Sequence, residues 1–175
     1  MTNETIKSIK ERRSIRSFKP EQITDDELMT VLEAGTYAPS GRGMQSSQMV
    51  VVQNKELMDK IIRMNQDVLG NHEKNPYYGA PTVILVFAPN ERTTYIEDGS
   101  CLLDTLMLAA HSIGLGSCWI HREKQMFETK EGVELKRELG LSDQMTGIGA
   151  LALGYAEGEI PEAKPRREDY YSIIR

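Results

Sequence analysis

Arg12, Arg13 and Arg16 crowd into the run Arg12-Arg13-Ser14-Ile15-Arg16-Ser17-Phe18, and a second basic run, Lys164-Pro165-Arg166-Arg167, stands near the other end of a chain whose net charge is -5. Clustered cations in an acidic chain point to a specific anion. Guanidinium groups offer two parallel N–H donors to two oxygens at once, which suits a doubly charged phosphate better than an ammonium does. Ser14 adds a hydroxyl donor, and Arg12 and Arg16, four positions apart, share a face if the preceding helix persists through them. The same pattern also describes a solvated basic helix end. The distal run is a solvated charge run unless the fold brings the two ends together.

Ala38-Pro39-Ser40-Gly41-Arg42-Gly43-Met44-Gln45 combines a proline with two glycines, which permits backbone shapes that helix and strand refuse and lets the main chain approach a ligand closely. An ordinary turn has the same composition. GxxxxGKS/T is absent and no GxGxxG follows a strand, so triphosphate-binding and Rossmann-type readings lose their support. GxSxG is missing too, and no general base can be placed by spacing, which leaves hydrolase chemistry without a carrier. His72, His111 and His121 are scattered, and Cys101 and Cys118 lack the spacing of a zinc or iron–sulfur site. No metal site is expected, and both cysteines read as buried reduced thiols. An organic cofactor is then the remaining vehicle for any reaction.

These residues must be positioned by a core, and composition allows one. The 175 residues are 39% hydrophobic and 27% charged, as for one soluble domain spanning 1–175 with no linker, repeat or low-complexity stretch. The acidic balance argues against nucleic-acid binding. The apolar runs Val83–Ala88 and Leu102–Ala110 are too short or too interrupted for a bilayer, and no signal-peptide core opens the chain, so a cytoplasmic protein is expected.

Ile6 and Ile9 mark a short first helix that ends at the arginine cluster. Thr24 with Glu27 forms a capping box ahead of Leu28, Val31 and Leu32, a second helix that Gly35 is expected to stop. Met49–Val52 reads as a strand, Leu57 to Leu69 as an amphipathic helix, and Thr82–Ala88 as a central strand apolar on both faces. Asp98 is the expected cap of a long buried helix through Ile113. Ser117–Ile120 and Thr146–Leu153 read as strands and Val133–Leu139 as a surface helix. Without strict βαβ alternation, an α+β layer is favoured.

Taken in order, the Arg12–Phe18 run, the Ala38–Gln45 loop, Gly114-Leu115-Gly116-Ser117-Cys118-Trp119-Ile120, and Ala152-Leu153-Gly154-Tyr155 before Lys164–Arg167 resemble the FMN-dependent nitroreductase family over nearly the whole chain. The resemblance implies a three-layer sandwich with a central, mostly antiparallel sheet flanked by helices, built as an intertwined homodimer with FMN at the subunit interfaces. It assigns Arg12, Arg13, Ser14 and Arg16 to the FMN phosphate and ribityl chain, joined by Lys164 and Arg166 or Arg167. Pro39, Ser40, Gly41 and Gln45 match the loop that reaches the partner's flavin, and Trp119, Ile120 and His121 the segment against the ring. Where the family commonly has Asn-x-Gln-Pro-Trp, this chain has Gly43-Met44-Gln45-Ser46-Ser47, so an Asn contact and a Trp contact are missing.

The implied chemistry is hydride delivery from NADH or NADPH to flavin N5, followed by electron transfer to a nitroaromatic, quinone or related small-molecule acceptor in ping-pong order. No protein acid or base is required, and His121 beside the ring offers either a side-chain proton donor or, as for most such histidines, only a structural contact through its backbone. Two alternatives stand beside this. One is a specialised relative for dehalogenation, ene reduction or flavin fragmentation, and the other a flavin-binding protein without turnover. The apolar C-terminus, Tyr170 to Ile174, packs either on a partner subunit or on its own domain.

Overall fold

The computed structural model describes residues 1–175. Helix boundaries follow local chemistry. Asn3 opens α1 (Glu4–Glu11) by accepting the Ile6 N–H at 2.9 Å. At the head of α2 (Asp25–Thr36), Thr24 Oγ1 accepts the Glu27 N–H at 3.2 Å while the Glu27 carboxylate accepts the Thr24 N–H at 2.8 Å, the expected reciprocal cap. Asn54 caps α3 (Lys55–Leu69), which ends in left-handed Gly70.

The long helix α4 (Tyr95–Ser112) starts before Asp98, so Asp98 sits inside its first turn and is not its cap. Gly35 does not stop α2 either. It lies within the helix, and a Cβ there would come within 2.7 Å of Leu106 Cδ2, so the missing side chain is what lets α2 and α4 touch. Periodicity marks one helix near Val133–Leu139, but the chain forms two, α5 (Glu123–Glu128) and α6 (Lys130–Glu138), with Thr129 capping the second. The charged run Arg122-Glu123-Lys124 hides the first of them.

Four strands, β1 (Gln48–Val52), β2 (Thr82–Pro89), β3 (Gly116–Ile120) and β4 (Met145–Gly154), pair antiparallel in the order β1-β2-β4-β3. β2 is apolar on both faces because both are covered. Ile84, Val86, Leu151 and Leu153 pack towards α2 and α4. Val83, Leu85, Phe87 and Ala150 pack towards α3, α5 and α6. Each fully buried aliphatic side chain contributes about 1.5–3 kcal/mol. The result is the α+β three-layer sandwich expected.

β1 and β3 are the sheet edges. No helix is long and apolar enough to cross a membrane. Cys118 is buried as expected, whereas Cys101 is exposed on α4. The last backbone tie between the C-terminal segment and the body is Glu157 N–H to Ser17 C=O at 3.0 Å. From there to Arg175 the chain is exposed and forms neither helix nor strand. Tyr170, Tyr171, Ile173 and Ile174 do not pack on their own domain, and Ile174 is 97% exposed.

Candidate functional site

The arginine run leaves its helix at once. Arg12 is the C-cap of α1 with extended backbone, and from there the chain runs beside β3: Ser14 bridges Ser117, the Ile15 N–H donates to Ser117 C=O at 2.9 Å, and Phe18 bridges Ala156. Ile15 and Phe18 are buried and clamp the segment to the core. The shared face expected of Arg12 and Arg16 therefore exists, but for a different reason. Alternation along an extended chain, not helical spacing, puts Arg12, Ser14 and Arg16 on one side.

All three bear on Cys118, whose thiol burial pushes up while Arg16, a hydrogen bond with Ser14, and Arg12 pull it down. Arg13 turns elsewhere, donating to the carbonyls of Lys10 and Arg12 at 2.7 and 2.8 Å. No carboxylate stands within ion-pair reach of Arg12, Arg13 or Arg16. Arg12 Nη1, Arg13 Nε and Ser117 Oγ are buried without a hydrogen-bond partner. Buried donors left unsatisfied cost about 1–3 kcal/mol each, and a phosphate ester with several acceptor oxygens is the kind of group that fits them.

The second element is the Pro39–Gln45 loop, held by α4. Asp98, 5% exposed, accepts the Gly41 N–H at 2.8 Å through one oxygen and the Thr94 hydroxyl at 3.2 Å through the other. A Cβ on Gly41 would run into Thr94 Oγ1, so the close approach requires glycine. Ser40 Oγ accepts the Gln45 N–H at 2.9 Å, and Arg42 and Gln45 adopt φ of 58° and 49°, uncommon for residues with a side chain. Under the loop is a cavity of about 170 Å³, lined in part by Pro39, Ser40, Gln45, Ser47, Met49 and Leu102. Ser47 Oγ has no partner there.

The third element is the far end of β3. Trp119 packs into the α2/α4 layer and Ile120 into the opposite one, so what these two offer a ligand is backbone; His121 alone exposes its side chain. Behind it is a buried polar cluster. Glu123 is completely buried, its Oε1 accepting from the Tyr77 hydroxyl at 3.3 Å and from Asn65 Nδ2 at 3.5 Å. Desolvation by burial pushes its carboxyl up to about 8. β3 thus has unpaired cations beside its start and a buried, hydrogen-bonded polar cluster behind its end, about 13 Å apart at strand rise.

Lys164, Arg166 and Arg167 are not brought to the Arg12 cluster within one chain. All three are exposed, and Arg167 instead pairs with Asp169 at 3.0 Å. Nor does any hydrogen bond join the Pro39–Gln45 loop to the arginine run. Sequence reasoning missed the roles of Asp98, Asn65, Tyr77 and Glu123. Only Asp98 carried a signal, its place just ahead of an apolar helix, and that signal suggested a cap.

Against known proteins, the family model described as the nitroreductase family matches residues 9–155. A nitroreductase with bound FMN from Bacteroides fragilis is 29% identical, superposes with a TM-score of 0.91, and the match covers 99% of this chain and 100% of that one. One from Desulfitobacterium hafniense, also with bound FMN, is 30% identical with a TM-score of 0.89 over 100% of both chains. The NADPH-flavin oxidoreductase of Vibrio harveyi is 26% identical over 181 residues, covering 94% of this chain and 70% of that protein.

Proposed function

The chain belongs to the nitroreductase family, and from that premise we propose that it is an FMN-dependent oxidoreductase, oxidising NADH or NADPH and reducing nitroaromatics, quinones or related electrophiles. The observation that carries this is the convergence of Arg12, Ser14 and Arg16 beside the start of β3 with no counter-charge and a buried, partnerless Nη1. FMN, when bound, supplies the two-electron relay between pyridine nucleotide and acceptor.

The chain's own part is binding and orientation. Arg12 and Arg16 hold the phosphate with Ser14 as a hydroxyl donor, Arg13 braces the helix end behind them, and Lys164 with Arg166 or Arg167 joins from the tail. Backbone of Trp119, Ile120 and His121 flanks the ring, and Pro39, Ser40, Gly41 and Gln45 reach the flavin of a second subunit. Fixed N–H donors at the ring edge favour negative charge developing there without any side chain changing its protonation state.

The tail supports a homodimer. Tyr170, Tyr171, Ile173 and Ile174 expose apolar surface that no part of their own domain covers, and a partner subunit is what would cover it. In a deletion of residues 163–175, a monomer by light scattering with weakened FMN binding is the expected result.

The activity itself is read from the flavin's colour. Protein purified or reconstituted with FMN should bleach on anaerobic addition of NADH or NADPH and recover its colour with a nitroaromatic or quinone. Protein that takes up no FMN at all would end this reading.

A further inference from the structure

Between β3 and α5 the chain turns through Arg122, which holds φ at 93°. A residue with a side chain adopts that conformation only when its surroundings impose it. Three contacts do so here. Arg122 Nε donates to Asn65 Oδ1 at 2.9 Å, Asn65 Nδ2 donates to the His121 carbonyl at 3.5 Å, and the backbone of Glu123 presses on β4 so closely that a Cβ on Gly147 would come within 2.7 Å of Glu123 O. Two of these run through the side-chain amide of Asn65. Glu123 and Tyr77 orient that amide together: Glu123 Oε1 accepts from the same Nδ2 at 3.5 Å and from the Tyr77 hydroxyl at 3.3 Å, and the Tyr77 oxygen accepts from Nδ2 at 3.4 Å.

We propose that Glu123 is a positioning residue: its buried carboxyl orients Asn65, which pins the His121 carbonyl and the Arg122 guanidinium and so sets the turn that flanks the flavin ring. This rests on the reading that the turn is the flavin's neighbour. Burial is the main reason the acid keeps its proton near neutrality. With Oε1 accepting both donors, the proton falls to Oε2, the atom with no partner.

The titratable and charged groups facing Glu123 are few. The Tyr77 phenol, from the segment before β2, is itself pushed well up by burial and then by Glu123, and so stays protonated. Arg122 stands at the start of the same helix. α3 contributes the neutral Asn65, α5 the Met126 thioether beside Tyr77, and β4 only backbone. An ionised Glu123 would have one cation to turn to, Arg122. It would draw that guanidinium off Asn65 and release the turn.

The test follows the His121 and Arg122 backbone amides by NMR and FMN affinity by flavin fluorescence, in wild type and Glu123→Gln, across a pH range centred on about 8. In wild type both amides should move with that midpoint, and FMN affinity should fall by up to about tenfold above it, the equivalent of one neutral hydrogen bond. In Glu123→Gln the Arg122 amide should stay flat and the His121 amide should keep only the movement that its own imidazole causes, with affinity held at its low-pH value. Amides that do not titrate in wild type, or that titrate equally in the Gln variant, overturn the proposal. Amides that titrate only in wild type while FMN affinity stays flat uphold the anchoring and instead overturn the placement of the flavin against the turn. If Glu123→Gln does not fold, the carboxyl carbon of Glu123 in wild type decides, since a midpoint different from that of the His121 amide also overturns it.

Discussion

The two ends of β3 solve opposite electrostatic problems. Beside its start, Arg12 and Arg16 have no carboxylate near them, one guanidinium nitrogen being buried and partnerless. Behind its end, Glu123 is buried beyond reach of water and its carboxyl is held neutral by desolvation. Charge without a counter-ion is what a chain keeps when a ligand will supply the counter-ion. A titratable group stripped of its charge can instead serve as a fixed hydrogen-bonding piece. One end is therefore built to be completed from outside, and the other is closed to water, with Glu123 Oε2 its one partnerless carboxyl oxygen.

The largest effect expected at the buried end is on stability. A folded chain holds the Glu123 proton up to about pH 8, whereas an unfolded one releases it near 4.5. Across that window the folded state binds more protons, so this group's contribution falls as pH rises, by up to about 1.4 kcal/mol per unit. Urea midpoints should show Glu123→Gln gaining on wild type steadily from the acid side towards pH 8. A constant difference between the two would mean that Glu123 is charged when folded.

At the open end, Arg12→Ala should raise the FMN dissociation constant roughly ten- to hundredfold, the loss of charge-assisted hydrogen bonds of about 1.5–3 kcal/mol. In the FMN-free protein its thermal midpoint should hold or rise, because Arg12 makes no ion pair to lose and its buried, partnerless nitrogen is removed. A large drop in midpoint with unchanged FMN affinity would reverse the comparison.

The loop held by α4 resembles the buried end, since Asp98 is also enclosed, but it is anchored by a carboxylate that satisfies two donors. Asp98→Ala strands the Gly41 N–H and the Thr94 hydroxyl, and calorimetry should register about 1–3 kcal/mol of lost stability. The smallest effect belongs to the tail. Arg167→Ala removes only an exposed pair with Asp169, so the thermal midpoint should not change. FMN affinity should weaken by less than in Arg12→Ala.

Much of the scaffold was legible because local chemistry determines it. Thr24 with Glu27 marked the head of α2, the β-branched run Val50–Val52 marked β1, and the uninterrupted Thr82–Ala88 marked a strand covered on both faces. The order of motifs pointed to the family before any geometry. What stayed hidden depends on contacts distant in sequence. Gly35 looks like a helix stop until Leu106 is set against it. Arg12 and Arg16 share a side through pairing with β3, a strand a hundred residues away, where local spacing suggested a helix. Glu123 sits between Arg122 and Lys124 and reads as surface; only the packing of Tyr77, Asn65 and Met126 around it makes it interior.

β1 leaves one further consequence. Its segment Gln48-Met49-Val50-Val51-Val52 carries no charge and no proline, and its outer row of amides and carbonyls faces away from β2 with no strand beside it. Such a rim is a template for any extended peptide that reaches it, including the same rim on another molecule. Truncation that strips whatever normally shields this rim should make the protein form fibrils, with Gln48→Lys, at the exposed first position of the strand, as the substitution that prevents it.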